Sequence, residues 1–136
     1  MPGTIQMQRE VFDELGKSAL REPGFECCGL LAGRDGVITQ AFAAENVAVN
    51  PAKNYEIAPK EIFWLLREFR AQGLEFLGIY HSHPNGENEP SARDIDLAYY
   101  SEAVYFIVSP RPDAPRPVRA FSIRDGCATE LEIQIV

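Results

Sequence analysis

The sequence is poor in basic residues, and this shortage argues against two classes of partner. Thirteen Lys and Arg residues stand against twenty Asp and Glu residues, which gives a formal net charge of −7 and a pI near 4.8. A nucleic-acid-binding protein needs a basic face that neutralises phosphates. A protein that docks on anionic lipid headgroups needs a similar face. We therefore expect neither nucleic acid nor a membrane as a partner.

Long apolar runs and a disulfide framework are also missing. The longest apolar runs, such as 103–108, are far shorter than the roughly 20 residues of a membrane span, and the N-terminus does not have the pattern of a signal peptide. Cys27 and Cys28 are adjacent and Cys127 is distant, so we expect no disulfides. We interpret the adjacent pair as small core residues. These features predict a cytoplasmic protein.

The length and the apolar pattern predict one mixed α/β domain over residues 1–136. The composition, with 46% hydrophobic and 24% charged residues, is that of a soluble globular protein. Apolar residues at helical spacing predict a helix over 9–21 and a second helix that begins at Pro59 and ends at Gly73. Apolar runs predict strands over 4–7, 27–32, 37–46, 74–80, 104–108, 118–123 and 131–135. The fold class is therefore predicted as α/β, with one mixed sheet flanked by helices.

The turn residues between the predicted strands and the aromatic residues of the second predicted helix indicate structural roles. Gly33-Arg-Asp-Gly36 lies between two predicted strands and indicates a hairpin. The second predicted helix places Phe63 on its apolar side, together with Ile62, Leu65, Leu66 and Phe69. We interpret Trp64 as a core residue too, rather than as part of a cofactor-binding cluster.

The only two histidines of the chain indicate a metal site. His81 and His83 lie two residues apart at the end of the predicted strand 74–80, and side chains at that spacing point to the same face of a sheet. Neutral imidazoles suit zinc, and a carboxylate is a normal third ligand. Asp94 lies in the first turn of a short helix that is predicted to begin near Ser91. Three protein ligands leave a fourth position for water, as in a catalytic rather than a structural zinc site.

Each part of this pattern also has a structural explanation. Ser91-x-x-Asp94 is a capping box, in which the serine and the acid cap one helix reciprocally. A single His-x-His pair occurs often by chance. Asp96 is a rival ligand, but residues two apart on a helix face different directions, so only one of the two acids can point inward. The joint pattern favours the metal site, and Ser91 can serve both as a cap and at the site.

The motif residues resemble a known family. His81-Ser-His-Pro84, followed by Ser91 and Asp94, resembles the JAMM metalloprotease motif (MPN+, also called JAB or Mov34). The segment 26–33, Glu-Cys-Cys-Gly-Leu-Leu-Ala-Gly, is similar to the upstream segment that carries the catalytic glutamate of that family. The resemblance to the compact prokaryotic members covers nearly the whole chain, including 54–59, 78–81, Ala98 and 107–109. It implies the JAB1/MPN fold, which is distantly similar to that of the cytidine deaminases.

The resemblance also implies a role for each motif residue. His81, His83 and Asp94 would bind one zinc ion per chain. Glu26 would take a proton from the attacking water and return it to the leaving amine, as a general base and then a general acid. Ser91 would help to stabilise the oxyanion. The role of Glu26 rests on the resemblance alone, since the residue is otherwise one of many acids at a strand start.

The implied substrate is a small protein. Compact prokaryotic members act on ubiquitin-like β-grasp proteins, typically sulfur carriers that end in Gly-Gly, and the resemblance implies a zinc-dependent metallopeptidase or isopeptidase that cuts after this terminus. The chain itself would be a monomer or a homodimer. The alternative is a non-catalytic interaction module of the MPN type, but such modules lack the ligands that this chain has. A zinc deaminase would need His-x-Glu and Cys-x-x-Cys, which are absent here. Similar motifs in DNA-repair and phage-tail proteins leave a phage origin open.

Overall fold

Seven strands and three helices make up the computed structural model, which describes residues 3–136. The strands are β1 (Thr4–Met7), β2 (Cys28–Arg34), β3 (Val37–Ala44), β4 (Glu75–Ser82), β5 (Val104–Val108), β6 (Val118–Arg124) and β7 (Cys127–Ile135). The helices are α1 (Arg9–Arg21), α2 (Pro59–Gln72) and the short α3 (Ala92–Asp96). Within residues 3–136, none of the helices has the length and apolarity needed to cross a bilayer.

The strands form one mixed sheet that closes on itself. Their order is β1-β3-β2-β4-β5-β6-β7, and β7 pairs again with β1. The pairs β1–β3, β1–β7 and β4–β5 are parallel, and the other neighbours are antiparallel. The predicted mixed α/β fold is confirmed. The closure was not predicted, because the pairing of β1 with β7 joins distant parts of the chain and leaves no local pattern.

Two hairpins have the same two-residue turn. Asp35-Gly36 joins β2 to β3, and Asp125-Gly126 joins β6 to β7; their φ angles are 54° and 76°, and 53° and 75°. Positive φ at both positions is the requirement of a type I′ turn, which glycine and aspartate tolerate. The predicted hairpin at 33–36 is therefore present. The second turn makes β7 begin at Cys127, four residues before the predicted start at 131.

The sheet buries a separate apolar cluster against each long helix. Helix α1 packs Val11, Leu15 and Ala19 into a cluster with residues of the central strands. Helix α2 contributes Phe69 to a second cluster, which includes Ile79 of β4. Strands β2 and β4 lie between these layers and are largely buried. Their continuous apolar runs follow from this position, and the ends of these two strands carry the candidate site.

The structure corrects the interpretation of the aromatic residues on α2. The Phe63 and Trp64 side chains are 57% and 53% exposed, so their assignment to the core was wrong. The buried side of α2 consists of Ile62, Leu65, Leu66 and Phe69, and positions 63 and 64 point away from it. The guanidinium of Arg67 lies 5.9 Å from the Phe63 ring and 5.3 Å from the Trp64 ring, which partly covers them. The expectation that Cys27 and Cys28 are buried is confirmed.

The bulged end of β2 generates a prediction about Gly33. A Cβ at this position would lie 1.7 Å from the carbonyl oxygen of Val37. We therefore expect Gly33→Ala to lower the free energy of unfolding by about 2–3 kcal/mol, as for other overpacked sites, in urea unfolding. The control is Gly16→Ala in α1, where no heavy atom lies within 4 Å of the added Cβ; it should raise stability by about 0.5–1 kcal/mol. A Gly33→Ala protein as stable as the wild type would contradict this packing.

Candidate metal centre and active site

The two histidines lie where β4 ends in the middle of the sheet. His81 belongs to β4, and His83 follows the strand while its N–H still donates to the carbonyl of Val108 on β5. Both side chains are buried. Their Nε2 atoms are 3.1 Å apart, so the strand places the two imidazoles side by side on one face, as the spacing predicts.

Asp94 reaches both imidazoles from α3. Its Oδ1 lies 3.2 Å from Nε2 of His81, and its Oδ2 lies 3.0 Å from Nε2 of His83. The capping box is also present, because the Ser91 N–H donates to Asp94 Oδ2 and the Asp94 N–H donates to Ser91 Oγ. Asp96 is exposed. The cap and the site are therefore one arrangement, in which the cap orients the carboxylate toward the histidines.

These donor atoms fit a small metal ion. The two Nε2 atoms, and each Nε2 and one carboxylate oxygen of Asp94, are 3.0–3.2 Å apart, whereas neighbouring ligands of a tetrahedral zinc ion with bonds of about 2.0–2.1 Å are about 3.3 Å apart. Nδ1 of His83 lies 2.6 Å from the carbonyl oxygen of Glu87, which can only accept, so Nδ1 carries the proton. In the neutral ring Nε2 then offers a lone pair. This lone pair faces Nε2 of His81 and the carboxylate of Asp94, an arrangement that a cation stabilises.

Glu26 lies beside this cluster and outside its hydrogen bonds. One of its carboxylate oxygens and a nitrogen of each imidazole lie within 4.8 Å of one another. Asp94 is closer to both rings, so the distances favour Asp94 as the third ligand and leave Glu26 as a neighbour. The Glu26 side chain is buried, and its Oε1 has no hydrogen-bond partner among the described residues. Burial raises the pKa of this carboxyl to about 7, a value at which it can both take and release a proton near neutral pH.

The pKa shifts of His81 and Asp94 favour their metal-binding forms, whereas the pKa shift of His83 favours the protonated ring. Burial lowers the pKa of His81, which keeps the ring neutral. Burial also acts to lower the pKa of His83, but the hydrogen bonds with Asp94 and with the Glu87 carbonyl outweigh it and raise this pKa. Burial opposes ionisation of Asp94, yet the hydrogen bonds from both imidazoles hold the pKa of this carboxyl well below its usual range. The carboxylate is therefore ionised beside the imidazoles.

Comparisons with known proteins identify the family. The family described as prokaryotic homologues of the JAB domain matches residues 8–124. The chain belongs to this family. It is 38% identical over 96 residues to a desampylase of Haloferax volcanii, a match that covers 69% of each chain. It is 31% identical over 134 residues to the CysO-cysteine peptidase of Mycobacterium tuberculosis, covering 97% of this chain and 91% of the relative.

Solved structures agree with the family assignment. A protein of Desulfitobacterium hafniense is 29% identical, with a TM-score of 0.85 over 97% of this chain and 92% of its own. A structure described as a JAMM metalloprotease-like zinc site in the proteasome and signalosome has a TM-score of 0.61 at 18% identity, over 96% of this chain and 97% of its own, and shows the shared fold. The predicted resemblance to the JAMM/MPN+ family is confirmed, and the chain is a peptidase of the JAMM type.

Two clefts of this JAB-family chain meet at the candidate metal centre. One has a volume of about 440 Å³ and touches Ser91 and Asp94; apolar and tyrosine side chains dominate its wall, among them Tyr55, Ile57, Ile62, Tyr99 and Tyr105. The other has a volume of about 760 Å³ and is lined by polar residues that include Glu26, Lys53, His83 and Glu87. Ser91 lines both clefts. The two clefts therefore adjoin at this residue.

Two residues that support the site were not found from the sequence. Tyr55 stacks on His81, with ring centroids 4.3 Å apart and an angle of 19° between the planes. The amide of Asn46 contacts the backbone of Glu26 and of the segment 46–56. The sequence shows Tyr55 only as part of a family-like segment, and it gives no signal for the role of Asn46, because Asn46 and Glu26 are 20 positions apart.

The roles of the two acids on α3 can be separated by substitution. We expect Asp94→Ala to lower the affinity for added zinc by more than about 100-fold, because even residues behind metal ligands contribute about 10–100-fold. Asp96→Ala is the control, since Asp96 is exposed on the same helix and should leave the affinity unchanged. A competition titration with a chromophoric chelator measures both. Equal zinc affinities of the two variants would reduce Asp94 to a capping residue.

Proposed function

We propose that the chain is a zinc-dependent metallopeptidase or isopeptidase that cleaves after the C-terminal Gly-Gly of a small ubiquitin-like sulfur carrier. One observation carries this proposal. Two imidazole nitrogen atoms lie 3.1 Å apart, and each lies within 3.2 Å of one carboxylate oxygen of Asp94, at the meeting point of two clefts; a buried carboxyl with a pKa of about 7 lies beside them. A non-catalytic module would need neither the complete donor set nor the unpartnered carboxyl.

Zinc is the metal that the donor set favours. His81, His83 and Asp94 offer two nitrogen atoms and an oxygen, a combination typical of catalytic zinc sites with an open position. When bound, zinc would lower the pKa of a water molecule to about 7 and polarise the scissile carbonyl. The family neighbour with a metalloprotease-like zinc site supports this choice.

Glu26 would move the protons of the reaction. Its Oε1 has no partner among the described residues, so it is free to accept a proton from the attacking water. The pKa of about 7 then allows the same carboxyl to give that proton to the leaving amine. This transfer avoids the expulsion of an amide anion, and one residue serves as base and then as acid.

Ser91 would stabilise the negative charge that develops on the carbonyl oxygen. Its Oγ accepts the N–H of Asp94, and its own N–H already donates to Asp94 Oδ2. The hydroxyl proton is therefore the donor that Ser91 can offer to a substrate at the junction of the two clefts. One such donor commonly contributes about 10²–10³-fold to kcat.

The named relatives support a protein tail as substrate. They are a desampylase, a probable TtuB-protein conjugate cleaving protease and a CysO-cysteine peptidase; we transfer to this chain the cleavage of a small protein's C-terminal conjugate. Glycines at the scissile position would let the substrate backbone approach the buried centre closely. The tyrosine-rich cleft would hold an apolar side chain on one side of the scissile bond, and the polar cleft would hold the other side.

The proposal predicts the behaviour of Glu26→Gln. The substrate is a Gly-Gly sulfur carrier with a short C-terminal extension, and cleavage is followed by intact mass with and without chelator. We expect the wild type with zinc to release the extension and Glu26→Gln to be slower by about 10²–10⁴-fold while it retains the same zinc content. The matched control, Glu22→Gln, alters an exposed acid and should cleave normally. Turnover by Glu26→Gln at the wild-type rate would remove this residue from the mechanism.

Ser91→Ala distinguishes a catalytic hydroxyl from a helix cap. If the hydroxyl donates to the oxyanion, kcat should fall by about 10²-fold, while removal of the cap alone costs only about 1 kcal/mol of folding stability. Kinetics and urea unfolding of the same variant give the two quantities. A loss of stability without a loss of kcat, at saturating zinc, would leave Ser91 with only its structural role.

A further inference from the structure

One peptide group beside the candidate site is held by side chains at both of its ends. The carbonyl oxygen of Glu26 accepts the Asn46 Nδ2–H at 2.8 Å, and the N–H of Cys27 donates to Ser82 Oγ at 2.9 Å. Strand β2 begins only at Cys28, so Glu26 lies just outside the regular part of the sheet. Its conformation therefore depends on these contacts and on the bond from its own N–H to the carbonyl of Pro51.

We infer that Asn46 and Ser82 are positioning residues that clamp the Glu26–Cys27 peptide and so fix the proposed general base relative to the proposed metal ligands. This inference rests on the function proposed above. No hydrogen bond within residues 3–136 reaches the Glu26 side chain, and its Oε1 is buried without a partner. The carboxyl is thus placed by its backbone, because no polar contact holds it directly.

Ser82 connects the base to the ligand-bearing strand end. It lies between His81 and His83, and the alternation of a strand turns its side chain to the opposite face from the imidazoles. There its Oγ meets the N–H of Cys27, and its own N–H donates to the Cys27 carbonyl at 3.0 Å. The side chain is 1% exposed, and a hydroxyl in such surroundings is costly unless it is hydrogen-bonded. A shift of the histidines would therefore carry the base with it.

Asn46 connects the base to the partner of His81. Its Nδ2 also donates to the carbonyl of Asn54 at 2.9 Å, and its Oδ1 accepts the N–H of Glu56 at 3.1 Å. These two residues flank Tyr55, whose ring stacks on His81. One amide therefore holds Glu26 on one side and the stacking ring on the other, so both sides of the site share a single support.

The clamp matters because proton transfer depends steeply on geometry. A misplacement of about 1 Å in a catalytic group can reduce the rate about 10²-fold. Ser82→Ala removes one end of the clamp. Asn46→Asp removes the amide donor to Glu26 but keeps an acceptor oxygen for the N–H groups of Ala48 and Glu56. The control is Ile123→Val, a buried substitution on β6 that lowers stability without touching the clamp.

Kinetics and zinc binding form the first half of the test. With a peptide that carries the Gly-Gly tail, we expect kcat of Ser82→Ala and Asn46→Asp to fall at least about ten-fold, with little change in KM or in zinc stoichiometry. Ile123→Val should stay within about two-fold of wild type. Since both residues hold one peptide group, the fold-decrease in kcat of the double variant should be smaller than the product of the fold-decreases of the two single variants. If kcat of the two variants falls only in proportion to their folding stability, as in Ile123→Val, the inference is overturned.

Amide exchange of Cys27 in the metal-free protein is the second half, and it does not depend on activity. Its N–H donates only to the buried Ser82 Oγ, so we expect strong protection in the wild type. Exchange should be at least about ten-fold faster in Ser82→Ala and Asn46→Asp than in Ile123→Val. Wild-type exchange rates in both variants would overturn the clamp. Faster exchange together with a zinc-loaded but inactive wild type would refute the proposed reaction and leave the clamp in place.

Discussion

The antiparallel pairing of β2 with β4 is the contact on which the site depends. Its register places Cys28 opposite His81, so Glu26, which lies two residues before Cys28 and just ahead of β2, comes to lie beside the imidazoles. A slip of one residue would turn both histidines to the other face of the sheet. Gly29 permits this close approach, because a Cβ there would lie 2.6 Å from the Tyr80 ring. The register of β2 and β4 therefore determines that Glu26 and the two histidines lie on the same side of the sheet.

The second constraint is that a short helix must present a carboxylate to a buried pair of imidazoles. Helix α3 has five residues, too few to be stable by its own hydrogen bonds. Asp94 is held by Ser91 on the helix side and by His81 and His83 on the sheet side. A bound cation would connect α3 to the end of β4, so metal binding and the local fold should stabilise each other.

Much of this arrangement could be predicted from the sequence where local patterns decide the structure. The helices over 9–21 and 59–72 follow from apolar periodicity with proline and glycine boundaries, and the shared face of His81 and His83 follows from strand alternation. Glu26 was found only through family resemblance, because its place depends on pairing between distant strands. The exposure of Trp64 was mispredicted, since periodicity centres the buried side of α2 on Ile62 and Phe69. Asn46 was missed, because its bond to Glu26 joins residues that are 20 positions apart.

In the proposed centre, two imidazoles and one carboxylate of this chain hold a single zinc ion. X-ray absorption at the zinc edge, on protein loaded with one equivalent of zinc, identifies the atoms bound to the metal. We expect nitrogen and oxygen ligands at about 2.0–2.1 Å, with imidazole scattering that diminishes in His81→Ala, and no sulfur. Scattering from sulfur at about 2.3 Å would place the metal at a cysteine and contradict the proposed ligand set.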